Sequence, residues 1–281
     1  AWMQHPVGMQ FNPDTVRNEM VDFMAVAFSP VAVNKFFHTV LSSWVLGAVF
    51  VIGISCWFLL KKRDKEFAVA SIKIGAVFGL VASLLTVWTG DGSGYAIAQT
   101  QPMKLAAVEG YYEGQNGAGL VAVGLLNPEK KTYDDGQDPF LFRIEIPKML
   151  SLLAERKVDA FVPGIKNIIE GGYELKDGTK ALSAAEKIEK GKKAIAALAT
   201  YRTAKKEGDE AAAKEAYTTL QENVSYFGYG YIKDVNQLVP NVPLNFYAFR
   251  VMVILGGYFI LFFILVLFFA YKKDLSKIRW M

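Results

Sequence analysis

The chain has 281 residues, of which 52% are hydrophobic and 21% are charged, and its formal net charge is +4. The mean hydropathy is +0.22, so the apolar residues must lie in blocks between polar stretches, a pattern typical of membrane proteins. One cysteine excludes an internal disulfide, a cysteine zinc site and an iron–sulfur cluster built from this chain alone. No basic block alternates with aromatic residues, which argues against a nucleic-acid partner.

The first 35 residues precede the first apolar run. The opening AWMQHPVG resembles the exit from an earlier element, so we expect the chain to be a piece of a larger protein. Asn12 is a suitable N-cap with Pro13 at the first helical position. The spacing predicts an amphipathic helix in the membrane interface that ends at Ser29-Pro30. Its apolar positions are Val16, Met20, Phe23 and Ala27.

Three apolar runs are long enough to cross a bilayer as helices, which requires about 20 residues. They extend over residues 36–60, 67–89 and 246–271. The basic link KKRDKE after the first run and the basic tail after the third predict that both lie in the cytoplasm. Residues 1–35 and the long segment from Asp91 to Pro243 are then expected outside.

The long external segment divides by composition. Residues 91–175 mix glycine, proline and aromatic residues, and IEIPKMLSLLAERK predicts one short helix there. Residues 179–224 are rich in alanine, lysine and glutamate and predict an antiparallel pair of helices, with Ile188, Ile195 and Leu198 facing inward.

The sequence therefore predicts an all-α integral membrane protein with three transmembrane helices and a large external helical loop. The predicted division is an external segment (1–35), two spans with a cytoplasmic turn (36–90), an external loop domain (91–243), and a last span with a basic tail (244–281).

Ionisable groups inside a membrane span are costly and are therefore candidates for function. Lys73 lies near the cytoplasmic end of its span, where its stem can extend to the interface. His38 lies near the outer end of the first span. It is either a hydrogen-bonded histidine at the interface or an axial ligand of haem iron, which neutral imidazole binds well. His5 lies outside the spans, so ligation by two histidines is awkward.

Met252 is the best-placed second ligand, because a thioether can replace the second imidazole. His38 precedes the basic border at Lys61 by 23 residues and Met252 precedes Lys272 by 20. At about 1.5 Å per residue, their depths differ by only about 5 Å. Arg250 would then face the headgroup side, where haem propionates need a cation. Most methionines in spans only fill the core, so this interpretation and simple packing both stay open.

Lys104 and Glu109 lie just beyond the second span. An amine and a carboxylate could bind the oxygens of a quinone headgroup and accept its protons. A solvated charge pair is the alternative.

Together these residues resemble subunit I of the cytochrome bd-type quinol oxidases. The matching stretches occur in family order over nearly all of the chain, except the part rich in alanine, lysine and glutamate. The combination of KFFHTV, KLAAVE and FYAFRVM is specific to that family. The other matching stretches are WMQHPVG, FNPDTVRNEMVDF, GAVFVIGISCWFLLKKRD, GDGSGYAIAQTQP, RKVDAFVPGIK and FGYGYIKD.

The resemblance implies roles for individual residues. His38 and Met252 would be the axial ligands of a low-spin haem b, and Arg250 would stabilise that haem electrostatically. Lys104 and Glu109 would belong to the quinol-oxidation site in an external loop, the Q-loop, on the periplasmic side of a bacterial inner membrane. Implied partners are lipid, quinol, the remaining helices of subunit I, subunit II and small accessory subunits.

The chain also departs from the family pattern. The helices that would carry a high-spin haem b and the oxygen-reducing haem d are absent from this sequence. We therefore expect it to be the electron-entry part of an oxidase and not to reduce oxygen alone. Two alternatives stay open: a non-enzymatic membrane anchor that displays an external helical domain, and a cyanide-insensitive relative of the family without haem d.

Overall fold

The computed structural model describes residues 6–272. These residues form two compact units: a membrane unit (residues 6–7, 24–96 and 248–272) and a loop unit (residues 8–23 and 97–247). His5 and the predicted basic tail after Lys272 lie outside the described residues.

The regular elements are mostly helices, as the sequence predicts, and they follow one another along the chain. They are β1 (Met9–Asn12), β2 (Arg17–Met20), α1 (Phe23–Ala27), α2 (Pro30–Leu60), α3 (Lys65–Thr100), α4 (Pro102–Glu109), β3 (Gln115–Asn116), β4 (Leu120–Leu126), β5 (Phe140–Ile146), α5 (Met149–Glu155), β6 (Phe161–Val162), α6 (Ile165–Glu170), α7 (Ala184–Glu207), α8 (Glu210–Asn223), 3₁₀ segments at Val224–Tyr231 and Val235–Leu238, and α9 (Val242–Lys272).

Within the described residues, three helical segments are long and apolar enough to cross a membrane. They contain α2, α3 and α9, so the prediction of three spans is confirmed. Each helix extends beyond the predicted span. Helix α2 begins at Pro30 because Ser29 is its N-cap and Pro30 occupies the first helical turn. The Ser29-Pro30 pair therefore starts a membrane helix and does not simply end an earlier one.

Helix α3 continues 11 residues beyond Thr89, through the glycine-rich GDGSGYAIAQT. Its polar side is occupied by α2, since Asn34 bonds to the carbonyl oxygen of Thr89 and the hydroxyl of Ser93. This packing outweighs the low helix propensity of the glycines. The helix ends directly before Gln101-Pro102, where the residue before a proline leaves the helical conformation.

The core of the membrane unit joins α2, α3 and α9. The buried face of α3 consists largely of alanine and glycine, which lets neighbouring helices approach closely. Gly79 shows the closest approach: a Cβ there would lie 2.3 Å from the ring of Phe263, a side chain that is fully buried. At the end of this core Lys73 lies over the ring of Tyr271, 4.6 Å from its centroid.

The predicted amphipathic helix from Asn12 is wrong. Residues 9–20 form an antiparallel hairpin, β1 with β2, and only the five residues of α1 are helical. Asn12 caps a turn, because its side-chain oxygen accepts the N–H of Asp14 at 2.9 Å, and Val16 has a positive φ of 55°. Asn-Pro-Asp favours such a turn, which competes with the helix that the spacing suggested.

The loop unit is not entirely helical. Besides β1–β2 it contains two further two-stranded antiparallel pairs, β3–β6 and β4–β5. The predicted helix IEIPKMLSLLAERK is divided, since its first residues end β5 and Met149–Glu155 form α5. The predicted helix pair is present as α7 and α8, with Ile188 and Leu198 buried and Ile195 partly buried.

Candidate functional site

His38 lies on α2 with its ring against α3. Its Nδ1 is 3.1 Å from the hydroxyl oxygen of Thr89. That hydroxyl is also 3.0 Å and 3.1 Å from the carbonyl oxygens of Leu85 and Thr86, its own preceding turn. Gly90 allows the ring to approach, because a Cβ at that position would lie 3.4 Å from the ring carbon Cε1. In residues 6–272 no hydrogen bond to the other ring nitrogen, Nε2, is found.

A second polar contact lies one turn before His38. Asn34 donates to the carbonyl oxygen of Thr89 at 3.0 Å and to the hydroxyl of Ser93 at 2.7 Å. Gly92 lies beside it, and a Cβ there would be 3.2 Å from the Asn34 oxygen. Asn34 and His38 on α2 thus face Thr89 and Ser93 on α3, all at four-residue spacing. Hydrogen bonds in apolar surroundings fix the register of the two helices.

Arg250 and Met252 lie on opposite faces of α9. Two residues apart, they are separated by about 200° around the helix. Arg250 is 91% buried, whereas Met252 is 52% exposed. The guanidinium carbon of Arg250 lies 5.5 Å from the ring centroid of Phe249. A buried cation and an open thioether therefore occur within one turn.

The turn that carries Met252 is exposed on every side. The five residues Val251–Leu255, all apolar, are each between 47% and 62% exposed, and five consecutive residues cover more than a full turn. Further along α9, Phe263, Val266 and Ala270 pack into the helical core. This helix is thus packed in its second half and uncovered around Met252.

Helix α4 holds Lys104 and Glu109 in the loop unit. Ala106 and Ala107 pack against Ile165, Ile168 and Ile169 of α6. On another side, Leu105 packs against a second cluster. Two apolar clusters therefore fix the orientation of this helix. An isolated helix of eight residues would be too short to be stable. The second cluster contains Ala118, Leu150, Ala154 and Val162.

Lys104 and Glu109 do not lie on the same face of α4. Five residues apart, they are separated by about 140° around the helix and about 7.5 Å along it. Glu109 is 96% buried at the last helical residue, where the helix dipole disfavours a negative charge. Lys104 is partly exposed. Glu109 is therefore a buried carboxyl group at a helix C-terminus, and Lys104 is the more accessible of the two.

Gly110 ends α4 in the left-handed conformation, with φ of 63°. A Cβ there would lie 3.0 Å from the Phe140 ring and 3.3 Å from the Phe246 ring. The next residue, Tyr111, packs against the second cluster. Burial raises the pKa of the Tyr111 phenol to about 12, opposed in part by the nearby backbone N–H of Gln115. The phenol therefore keeps its proton at any physiological pH.

The segment after α4 also contacts a buried cation, the ammonium group of Lys130. The side chain of Lys130 is 5% exposed and lies 2.8 Å from the carboxylate of Asp135. Its ammonium lies 4.5 Å from the ring centroid of Tyr112. Asp135 also accepts the backbone N–H groups of Lys131 and Thr132. The Lys130 ammonium, followed by these backbone donors, lowers the pKa of the Asp135 carboxyl.

The sequence interpretation singled out His38 but missed Thr89, which contacts its ring, and Asn34, which contacts α3 one turn earlier. Asn34 and Thr89 are polar residues beside or within long apolar runs, which is the signal that could have identified them. Lys130 and Asp135 gave no such signal, because one lysine among several in a polar loop is normally solvated.

Comparison with known proteins points to one protein family. The family model for cytochrome bd terminal oxidase subunit I matches residues 1–281. The chain is 33% identical over 298 residues to the cytochrome bd-II ubiquinol oxidase subunit 1 of Escherichia coli (strain K12), covering 100% of this chain and 53% of that protein. It is 32% identical over 170 residues to the cytochrome bd ubiquinol oxidase subunit 1 of Bacillus subtilis (strain 168), covering 60% of this chain and 34% of that protein.

A solved structure agrees in fold. The bd oxidase from Geobacillus thermodenitrificans aligns with a TM-score of 0.51 and 21% identity, covering 98% of this chain and 56% of that one. The chain spans about half the length of the E. coli relative and of this structural neighbour.

Proposed function

This chain belongs to the cytochrome bd terminal oxidase subunit I family, and we propose that it forms the electron-entry part of a quinol:oxygen oxidoreductase. In this proposal the loop unit binds and oxidises quinol, and the membrane unit holds a low-spin haem b. The observation that carries it is the state of His38. A membrane helix presents this imidazole with one ring nitrogen against a hydroxyl and the other with no hydrogen bond within residues 6–272.

The residues of the membrane unit fit a haem by their chemistry. His38 and Met252 supply an imidazole and a thioether, the pair that holds a low-spin haem and raises its reduction potential. Arg250 lies on the opposite face of α9 from Met252, so its positive charge would stabilise the haem electrostatically and not by direct contact on the Met252 side. A bound haem b would supply one-electron redox chemistry, and the protein side chains would set its ligation and charge.

The uncovered turn of α9 supports this assignment of Met252. The apolar residues 251–255 need a cover of apolar material on all sides. A haem on one side, with lipid or the remaining helices of the subunit on the others, would satisfy that need. Met252 is not buried among side chains of this chain, as Phe263 is, so its thioether is accessible to a bound group.

Quinol oxidation releases two electrons and two protons, so the site needs hydrogen-bonding groups and a base. The two hydroxyls of a quinol lie on opposite sides of its ring. Lys104 and Glu109, on different faces of α4, could therefore serve different hydroxyls. The Lys104 ammonium would donate a hydrogen bond to one oxygen, whose proton would pass to solvent water, and the Glu109 carboxylate would accept the proton of the other oxygen.

The proposal extends to the position of the chain in the cell. The basic link between α2 and α3, residues 61–65, supports a cytoplasmic position for that end by the positive-inside rule. The Q-loop would then face the periplasm, and protons from quinol would be released there. Oxygen would be reduced at a high-spin haem b and a haem d held by other parts of the subunit, with subunit II and accessory subunits as partners.

The haem assignment is tested in protein purified from membranes by the reduced-minus-oxidised spectrum. We expect His38→Leu and Met252→Leu to remove the low-spin b-type band. Met24→Leu, which replaces another exposed methionine of the membrane unit, should leave it unchanged. A b-type band that survives both ligand substitutions would reject the assignment. A colourless wild-type protein would favour the membrane anchor instead.

The quinol site is tested by steady-state quinol turnover. Lys104→Ala and Glu109→Gln should each reduce turnover by about 10²-fold or more, in the range expected for loss of a positioned acid or base. The matched controls are Lys166→Ala and Glu113→Gln, neighbouring residues that form an exposed pair at 3.9 Å. Equal turnover in the site variants and the controls would reject the docking of quinol at α4.

A further inference from the structure

The hydroxyl of Thr89 lies within hydrogen-bonding distance of His38 Nδ1, at 3.1 Å. The inference drawn from this contact rests on the proposed function, since it concerns how His38 would bind iron. Thr89 lies on α3 and would not itself be a ligand of the iron.

The hydrogen-bonding capacity of Thr89 decides which atom donates. A hydroxyl has one proton and two acceptor lone pairs. The Thr89 hydroxyl lies 3.0 Å and 3.1 Å from the carbonyl oxygens of Leu85 and Thr86, which can only accept. When its proton points to one of these carbonyls, its oxygen is free to accept a hydrogen bond from Nδ1. The imidazole then carries its proton on Nδ1, and Nε2 presents a lone pair.

Iron ligation requires that same tautomer. A neutral imidazole binds metal through its unprotonated nitrogen, and the other ring nitrogen donates to a neighbouring acceptor. The opposite tautomer would put the proton on Nε2 and block coordination there.

We propose that Thr89 is a positioning residue for haem ligation. Its hydroxyl oxygen accepts the Nδ1–H of His38, selects the tautomer that leaves Nε2 for iron, and holds the ring plane. An acceptor on Nδ1–H makes the imidazole a stronger electron donor. A stronger donor favours ferric over ferrous iron, so Thr89 also lowers the midpoint potential of the haem.

The test compares Thr89→Val, which keeps the shape and removes the hydroxyl, with Thr89→Ser, which keeps the hydroxyl. We expect Thr89→Val to raise the midpoint potential by about a tenfold change in the ferric-over-ferrous preference, equal to about 59 mV for one electron. The g-values of the ferric low-spin signal in electron paramagnetic resonance should change with it. Thr89→Ser should restore both values to those of the wild type.

Two controls separate this role from helix packing. Thr86→Val removes a hydroxyl one turn earlier, which within residues 6–272 bonds to the carbonyl oxygen of Ala82, and should leave the potential unchanged. Asn34→Leu removes the neighbouring contact between α2 and α3 and should reduce thermal stability without a shift in potential. An equal shift in potential in Thr86→Val or Asn34→Leu would overturn the role of Thr89.

The remaining outcomes also decide the question. If Thr89→Val binds no haem, the other two variants decide. Haem binding by both Thr89→Ser and Thr86→Val supports the proposal, and loss of haem from all three variants rejects it. If His38→Leu removes the b-type band but Thr89→Val keeps the wild-type potential and g-values, the role of Thr89 alone is rejected. If His38→Leu keeps the band, the ligand assignment fails first and the role of Thr89 fails with it.

Discussion

In the membrane unit, side chains pack over small residues, as Phe263 does over Gly79. In the loop unit, some of the closest contacts join backbone to backbone. A Cβ at Gly191 of α7 would lie 2.3 Å from the backbone nitrogen of Gly230. Polar contacts between helices of the membrane unit include those of His38 and Asn34 on α2 with α3. The loop unit depends on turns, caps and ion pairs. The two units should therefore respond to different substitutions.

The largest expected effect is in the membrane unit. Phe263→Ala removes a fully buried ring from the junction of α3 and α9, and we expect a loss of about 3–5 kcal/mol. Hydrogen exchange resolved by peptide should show faster exchange in α3 and α9 than in α7 and α8. Phe268→Ala, at a ring that is 53% exposed, is the control. Equal acceleration of exchange in both units would contradict the expectation that the two units respond to different substitutions.

A backbone contact is the next target, in the loop unit. Gly191→Ala would drive a methyl group into the backbone of the segment Val224–Tyr231, which cannot move aside as a side chain can. We expect a loss of about 1–3 kcal/mol, with faster exchange in α7 and unchanged exchange in α2. Gly228→Ala, where nothing lies within 4 Å, should have little effect. A tolerated Gly191→Ala would show that the close approach is not needed.

Capping of α7 gives a smaller effect in the same unit. The Ser183 hydroxyl accepts the N–H of Glu186 at 3.2 Å, and the Glu186 carboxylate accepts the N–H of Ser183 at 2.7 Å. Ser183→Ala should cost about 1 kcal/mol, measured by urea unfolding of the loop unit. Ser225→Ala, at an exposed serine, is the matched control, and equal midpoints for the two variants would contradict the role of the cap.

The smallest effect depends on pH. Because the Lys130 ammonium, followed by the backbone donors, lowers the pKa of Asp135 below its ordinary value of 3.8, the folded state prefers the ionised carboxyl. Its contribution is therefore present above about pH 4 and is lost as the pH falls through the lower, folded value. Asp135→Asn should reduce the acid sensitivity of loop-unit unfolding. Asp134→Asn should leave it as in the wild type, and an identical pH profile for Asp135→Asn would reject this account.

The membrane architecture could be predicted from the sequence because a span needs only length and apolar composition. Residues 36–60, 67–89 and 246–271 all lie within helices of the structure. The ends of these helices could not be predicted in the same way. The extension of α3 through Gly90 and Gly92 depends on the contact with Asn34, which lies 55 residues from Thr89 in the sequence.

The candidate residues could also be identified from the sequence, but their arrangement in space could not be predicted from it. His38, Met252 and Arg250 are identifiable as ionisable or soft groups inside apolar runs, and Lys104 and Glu109 through the KLAAVE motif. Glu109 proved to be buried and Lys104 partly exposed, on different faces of α4. The hairpin at residues 9–20 was missed because the turn formed by Asn12 competes with a helix of similar spacing.

The three spans, the family and the side chains with unusual chemistry follow from the sequence, since each depends on local composition or on a short motif. The partner that each of those side chains meets depends on the tertiary structure. The contact of His38 with a hydroxyl of α3 is one example, and the packing of Ala106 and Ala107 of α4 against Ile165, Ile168 and Ile169 of α6 is another. Such contacts join residues far apart in the chain, and no local pattern encodes them.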